Sequence, residues 1–172
     1  MSITKEKVVA IIVIYDPKRV LDMSSFYKEE KDIHMVLVDN TPDHGLQYPL
    51  SEKVHYFPLC ENKGIAYAQN LGIKWAQENG FEYIFFFDQD SWITNDFIDK
   101  MLSEHERITG MGYKLSVLGP LLINKNTGEN YKIGNKPLVS DHVKVSVVIS
   151  SGSLIRIETL QDIGFMDEIL FI

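Results

Sequence analysis

The sequence predicts an α/β protein with a mostly parallel central sheet, helices on both faces and a more irregular, partly antiparallel C-terminal third. Three observations carry this. Unbroken apolar runs rich in β-branched residues recur through the first two-thirds, as in strands buried on both faces. Segments with apolar residues at helical spacing separate them. In the last third the strand-like runs follow one another too closely for helical crossovers, which implies antiparallel pairing.

Val8–Tyr15 reads as a fully buried strand, ended by Asp16-Pro17. Pro17 suits the start of a helix reaching about Lys28, because its missing N–H costs nothing there. His34–Val38 is a second buried strand, stopped by Asp39-Asn40-Thr41-Pro42, and Val54–Phe57 a short third. Asn62-Lys63-Gly64 opens a helix whose Ile65, Ala68, Leu71, Gly72 and Trp75 share a face, and Asn79-Gly80 closes it. The aromatic strand Tyr83–Phe87 follows. Thr94 is the expected N-cap of a helix carrying Phe97, Ile98, Met101, Leu102 and His105. Lys114–Ile123 reads as a strand interrupted by Gly119-Pro120, and Asn126–Pro137 as a polar turn or hairpin. Val143–Ser150 is a further expected strand. Ser151-Gly152-Ser153 breaks it, Leu154–Arg156 resumes it, and Glu158–Ile163 forms a short helix.

The 172 residues suffice for one domain with a hydrophobic core, and 45% apolar with 24% charged residues is ordinary for a globular chain. A formal net charge of −7 argues against a general nucleic-acid surface, which needs clustered Lys and Arg. Cys60 is the only cysteine, which excludes an intrachain disulfide and fits a reducing compartment. The first apolar stretch is too short to span a bilayer, so the expected location is cytoplasmic, with peripheral association at the inner face of the plasma membrane left open. The sequence stops inside the apolar run Ile169–Ile172, from which a single domain cut from a longer protein is expected.

Asp88-Gln89-Asp90, at the end of the fourth strand, is the most telling cluster. In extended chain its two carboxylates would point the same way with Cα atoms roughly 6.5–7 Å apart. Such a pair suits a hard divalent cation, Mn²⁺ or Mg²⁺, together with a phosphate-bearing ligand. Tyr15-Asp16, Asp39-Asn40 and Asn62-Lys63-Gly64 also lie at strand ends, and in a parallel sheet these ends share the edge where ligands bind. Taken singly each has a plainer reading. Asp39 is equally a turn acid before Thr41-Pro42, Asn62-Lys63-Gly64 a helix cap with a solvated lysine, and Asp88 and Asp90 turn acids before Ser91. Gathering them on one edge favours a site. There is no phosphate-binding G-x-x-x-x-G-K-[ST] loop, no complete dinucleotide fingerprint, no zinc spacing among the five histidines and no G-x-S-x-G elbow.

Together the segments Val13–Pro17, Val38-Asp39-Asn40, Asn62-Lys63-Gly64-Ile65-Ala66 with Asn70 and Gly72, Phe87–Ser91, Ser151-Gly152-Ser153 and Gly164–Glu168 resemble the family-2 glycosyltransferases. Within them the chain is most similar to bacterial rhamnosyltransferase-type enzymes of surface polysaccharide synthesis. The resemblance implies a Rossmann-like GT-A fold and inverting, metal-dependent transfer from a nucleoside diphosphate sugar to a hydroxyl of a saccharide or lipid-linked saccharide. It implies that Tyr15 and Asp39 hold the base, that Asn40, Asn62, Lys63, Gly64 and Asn70 lie around the nucleotide, and that Asp88 meets the ribose or the metal shell. Asp90 would hold the cation, and Ser151, Gly152 and Ser153 would adjoin the donor sugar or acceptor. The family's general base is expected beyond Ile172, so no residue here is assigned that role. The alternatives are a non-catalytic nucleotide-binding or protein-interaction module of the same build and, third, a nucleotidyltransferase, for which no Gly-rich basic N-terminal loop is present.

Overall fold

The computed structural model describes residues 3–17, 33–42, 51–91, 93–121, 123, 127–129 and 142–170. The expected helix after Pro17, most of the Asn126–Pro137 turn and Trp92 lie outside them.

Among the described residues, six strands form one sheet: β1 (Val8–Ile14), β2 (His34–Asp39), β3 (Val54–Pro58), β4 (Tyr83–Asp88), β5 (Val117–Leu118) and β6 (Leu154–Arg156). Three α-helices are described, α1 (Ile65–Glu78), α2 (Phe97–Gly110) and α3 (Ile157–Ile163), and a short 3₁₀ turn at Lys5–Lys7 precedes β1. The strand order is β3-β2-β1-β4-β6-β5. β1 to β4 are mutually parallel, whereas β6 runs antiparallel to both β4 and β5. The mixed sheet, mainly parallel with an antiparallel C-terminal part, is the one the sequence predicts.

The apolar runs are continuous because both sheet faces are covered. Ala10, Ile12, Leu37, Phe85 and Phe87 face α2 through Ile98, Met101 and Leu102. Val9, Ile11, Val36, Ile84 and Phe86 face α1 and α3 through Ala68, Ile73, Ala76, Ile157 and Leu160. On α1 the buried face is centred on Ala68, Gly72, Ile73 and Ala76, while Ile65 at the first turn is exposed. Gly72 lets that helix lie close to the sheet, since a Cβ there would stand 2.6 Å from Ile11 Cγ2.

Three expectations are corrected. The strand expected over Lys114–Ile123 shrinks to Val117–Leu118, because Gly119-Pro120 interrupts it and proline offers no N–H to a ladder. Residues 143–150 are not a strand. Val147 and Ile149 are exposed there, and Val148 instead packs on Gly119. The N-cap of α2 is Asp96 and not Thr94, whose carbonyl accepts the Phe97 N–H one turn earlier. Among the described residues, no helix is long and apolar enough to cross a membrane.

Candidate functional site

Strand register brings the acidic clusters together. Ile14 of β1 pairs with Asp39 of β2 on one side, and Val13 pairs with Asp88 of β4 on the other. Asp39 in turn pairs with Pro58 at the end of β3. The carboxyl ends of four parallel strands thus share one edge. Chain order reverses between β1 and β4, and open α/β sheets bind ligands at such a switch point.

At the β2 end, Asp39 is only 1% exposed. Tyr56 Oη donates to its Oδ2 at 2.7 Å, and the Thr41 N–H donates to its Oδ1 at 3.0 Å. The carboxylate is turned to protein donors and ties β2 to β3 and to the following turn. Asn40, also buried, reaches across to the segment that opens α1. Its Nδ2 donates to Asn62 Oδ1 at 2.8 Å, and its Oδ1 accepts the Lys63 N–H at 2.8 Å. Asn62 Oδ1 also accepts the Gly64 N–H at 3.0 Å.

These bonds set the turn at Gly64, the N-cap residue of α1, whose φ of 83° is one that L side chains rarely adopt. No side chain caps the helix there and no acidic residue occupies its first turn. Its leading amides and positive dipole end therefore favour an anion. The Lys63 ammonium is engaged with Glu61 at 2.8 Å and lies 4.9 Å from the Tyr67 ring centre. The hydrogen bond it donates to Glu61, and then the charge of that carboxylate, hold the Lys63 pKa above its usual value.

Residues 88–91 form a turn instead of continuing the strand, so the extended spacing assumed for the two acids does not apply. The Ser91 N–H donates to the Asp88 carbonyl at 2.9 Å, which folds both carboxylates onto one tight turn. Asp88 and Asp90 are exposed, and among the described residues neither carboxylate has a hydrogen-bond or ion-pair partner. The Asp88 N–H is shared between Ser91 Oγ at 3.0 Å and Ser151 Oγ at 3.2 Å, and the two hydroxyls lie 2.8 Å apart. Ser151, 63 positions away in sequence, is thereby placed against the acidic turn.

The remaining candidates divide. Tyr15 stands exposed just beyond β1, on the shared edge. Gly152, at φ 79°, donates its N–H to the Phe86 carbonyl at 2.7 Å and packs on Pro120 and Phe97. Ser153 is buried and donates to the Ile149 carbonyl, so it serves the loop. Asn70 is buried in the second turn of α1. Its Nδ2 donates to the Met166 carbonyl at 2.9 Å and to Glu168 Oε1 at 2.7 Å, and its Oδ1 accepts the Met166 N–H at 2.9 Å. That amide anchors the segment after α3 and presents nothing to the edge.

Three residues outside the sequence-derived set belong here: Gln89, Tyr56 and Thr41. Gln89 Oε1 accepts the Tyr15 N–H at 2.9 Å and its Nε2 donates to the Tyr15 carbonyl at 3.1 Å. Thr41 Oγ1 accepts the N–H of Asp16, whose φ is 41°. The only advance signal was position, since Gln89 sits between the two acids.

A cation at this edge would find two open carboxylates and no third protein acid: among the described residues, no group of three or more His, Cys, Asp or Glu could hold a metal. That donor set fits Mg²⁺ or Mn²⁺, which are commonly held by one or two carboxylates and completed by substrate phosphates and water.

Residues 18–164 match the family model described as Glycosyl transferase family 2. The chain is 36% identical, over 178 aligned residues, to a dTDP-rhamnosyl transferase, RfbF, of Shigella flexneri, covering 95% of this chain and 58% of that protein. The crystal structure of S. aureus TarS superposes with a TM-score of 0.67 at 18% identity, covering 95% of this chain and 31% of that one. The 1–349 form of TarS gives 0.67 at 18% identity, covering 96% and 51%. The chain thus spans a little over half the length of its curated relative.

Proposed function

This chain belongs to glycosyl transferase family 2, with the GT-A fold, and from that premise we propose that it binds a dTDP-sugar, with rhamnose as the sugar transferred to a hydroxyl of a saccharide or lipid-linked acceptor. One observation supports the reading above the others. The Gly64 turn, the Asp39-Asn40 strand end and the Asp88–Ser91 turn lie on a single sheet edge at the point where strand order reverses. The donor nucleotide is proposed from the similarity to the Shigella flexneri enzyme, and inversion and a polysaccharide acceptor from the family.

In this proposal the base lies against Tyr15, on the β1–β2 side of the edge. The diphosphate reaches the uncapped first turn of α1, where backbone amides and the helix dipole favour negative charge. Asp88 and Asp90 would hold a divalent cation, which when bound supplies positive charge to the departing diphosphate. Ser151, bonded to the same turn, would meet a sugar hydroxyl. Transfer itself needs the acceptor oxygen to attack the anomeric carbon while a base takes its proton.

A thermal-shift screen with Mn²⁺ and dTDP-, UDP- and GDP-sugars tests this. Ligand at about a hundred times its Kd stabilises by about 2.7 kcal/mol, so a bound donor is readily seen. dTDP-rhamnose is expected to raise Tm most. No shift with any sugar nucleotide would sink the proposal.

A further inference from the structure

We infer that Gln89 is a positioning residue: its amide continues the β1–β4 ladder in place of backbone and so aims Asp88 and Asp90 at the cation. The inference rests on the nucleotide-sugar reading above and deepens it.

The last β1–β4 register pair is Val13 with Asp88. In a parallel ladder that ran on, the Tyr15 N–H and carbonyl would seek backbone partners on β4. β4 instead turns away at Asp88, closing the bond from the Ser91 N–H to the Asp88 carbonyl. The Gln89 side chain fills the vacancy. A primary amide carries the same acceptor and donor as a peptide group, and here both meet the same residue, at 2.9 and 3.1 Å. The backbone at 88–91 is thereby free to turn while remaining fastened to β1. On its other flank the turn is held by Ser91 and Ser151 at the Asp88 N–H.

The two ends of this tie are not equally dependent on it. The β1 end has further anchors on β2, namely the Asn40 N–H to the Ile14 carbonyl at 2.7 Å and the Asp16 N–H to Thr41 Oγ1 at 3.0 Å. Ser151 holds the turn only at the Asp88 N–H, so loss of the Gln89 amide loosens the turn beyond Asp88 and leaves Tyr15 in place. Nucleotide affinity that needs the metal should suffer, and affinity that does not should be spared.

The test is calorimetric titration of the chain with dTDP, with and without Mn²⁺, for the unaltered protein, Gln89→Met and Gln89→Ala. Unaltered protein binds dTDP more tightly with Mn²⁺. Gln89→Met lowers that enhancement about tenfold, the scale of two ordinary hydrogen bonds lost. Its metal-free affinity falls by a clearly smaller factor, because the Ile14 carbonyl and the Asp16 N–H still fasten the Tyr15 segment to β2. Gln89→Ala, which loses both bonds without adding charge, behaves in the same way and serves alone should Gln89→Met not fold. An undiminished enhancement in the folded variants, or an equal loss with and without Mn²⁺, would overturn the inference and leave the donor reading standing. Absence of any Mn²⁺ enhancement in the unaltered chain would overturn the metal part of that reading and this inference with it.

Discussion

Replacing Asn40 by alanine probes the link that holds the Gly64 turn to the sheet. The Asn40 amide makes two bonds, to Asn62 Oδ1 and from the Lys63 N–H, each 2.8 Å long. Each is worth about 1 kcal/mol net, and the Lys63 N–H left without a partner adds about 1 kcal/mol, the low end for an unmade bond because water reaches that half-buried turn. The expected cost is about 2–3 kcal/mol, or roughly 5–10 °C in Tm for a chain of this size. Urea unfolding of Asn40→Ala, Asn62→Ala and the double variant measures it. The two side chains share one bond, so the cycle should show a coupling of about 1 kcal/mol. Asn40→Asp should also destabilise, since it sets a carboxylate oxygen against Asn62 Oδ1. A cost below about 0.5 kcal/mol for Asn40→Ala, or strict additivity within about 0.3 kcal/mol, would refute the reasoning.

Other substitutions and conditions have equally definite outcomes. Phe85→Ala empties a fully buried position in the central sheet and should cost about 3–5 kcal/mol by chemical denaturation. Gly152→Ala places a side chain at φ 79° with its Cβ 3.0 Å from Pro120 Cγ, and should cost about 1–3 kcal/mol in the same assay. His105 is buried with no hydrogen-bond partner for Nδ1 among the described residues. Its burial first, and then the positive charge of Arg156, hold its imidazole below the ordinary 6.5. The folded state therefore favours neutral His105. That contribution is present in full above about pH 6.5 and is lost as pH falls through the lowered folded value. Tm should decline on acidification below pH 6.5, and His105→Phe should flatten that decline.

The central sheet was legible because strands buried on both faces leave long apolar runs, as Val8–Ile14 and Tyr83–Phe87 show. The gathering of Asp39, Gly64 and Asp88 on one edge was legible for a related reason: parallel strands must all end at the same side. Strand partners were less so. The Val143–Ser150 run has the right residues, but strand pairing depends on where other strand edges lie, which local composition does not encode. The same limit hid the side-chain ties. Gln89 meets Tyr15 across 74 positions and Asn70 meets Met166 across 96, so neither leaves a periodic or motif signature. The family resemblance sets Asn70 near the nucleotide, whereas its second-turn position on α1 directs its amide to the segment after α3. The acidic turn was legible as a cluster and not as a shape, because the strand ends at Asp88 while the apolar-to-acidic boundary suggests one more extended step.

The most direct test of the account is amide NMR mapping of dTDP binding. With Mg²⁺ present, the largest shifts on titration are expected at Tyr15, Asn40, Lys63-Gly64 and Asp88–Ser91, and substituting Mn²⁺ should broaden signals around Asp88 and Asp90 first. Shifts confined to the opposite edge of the sheet, near Glu82 and Ile157, would contradict the placement of the nucleotide at the strand carboxyl ends.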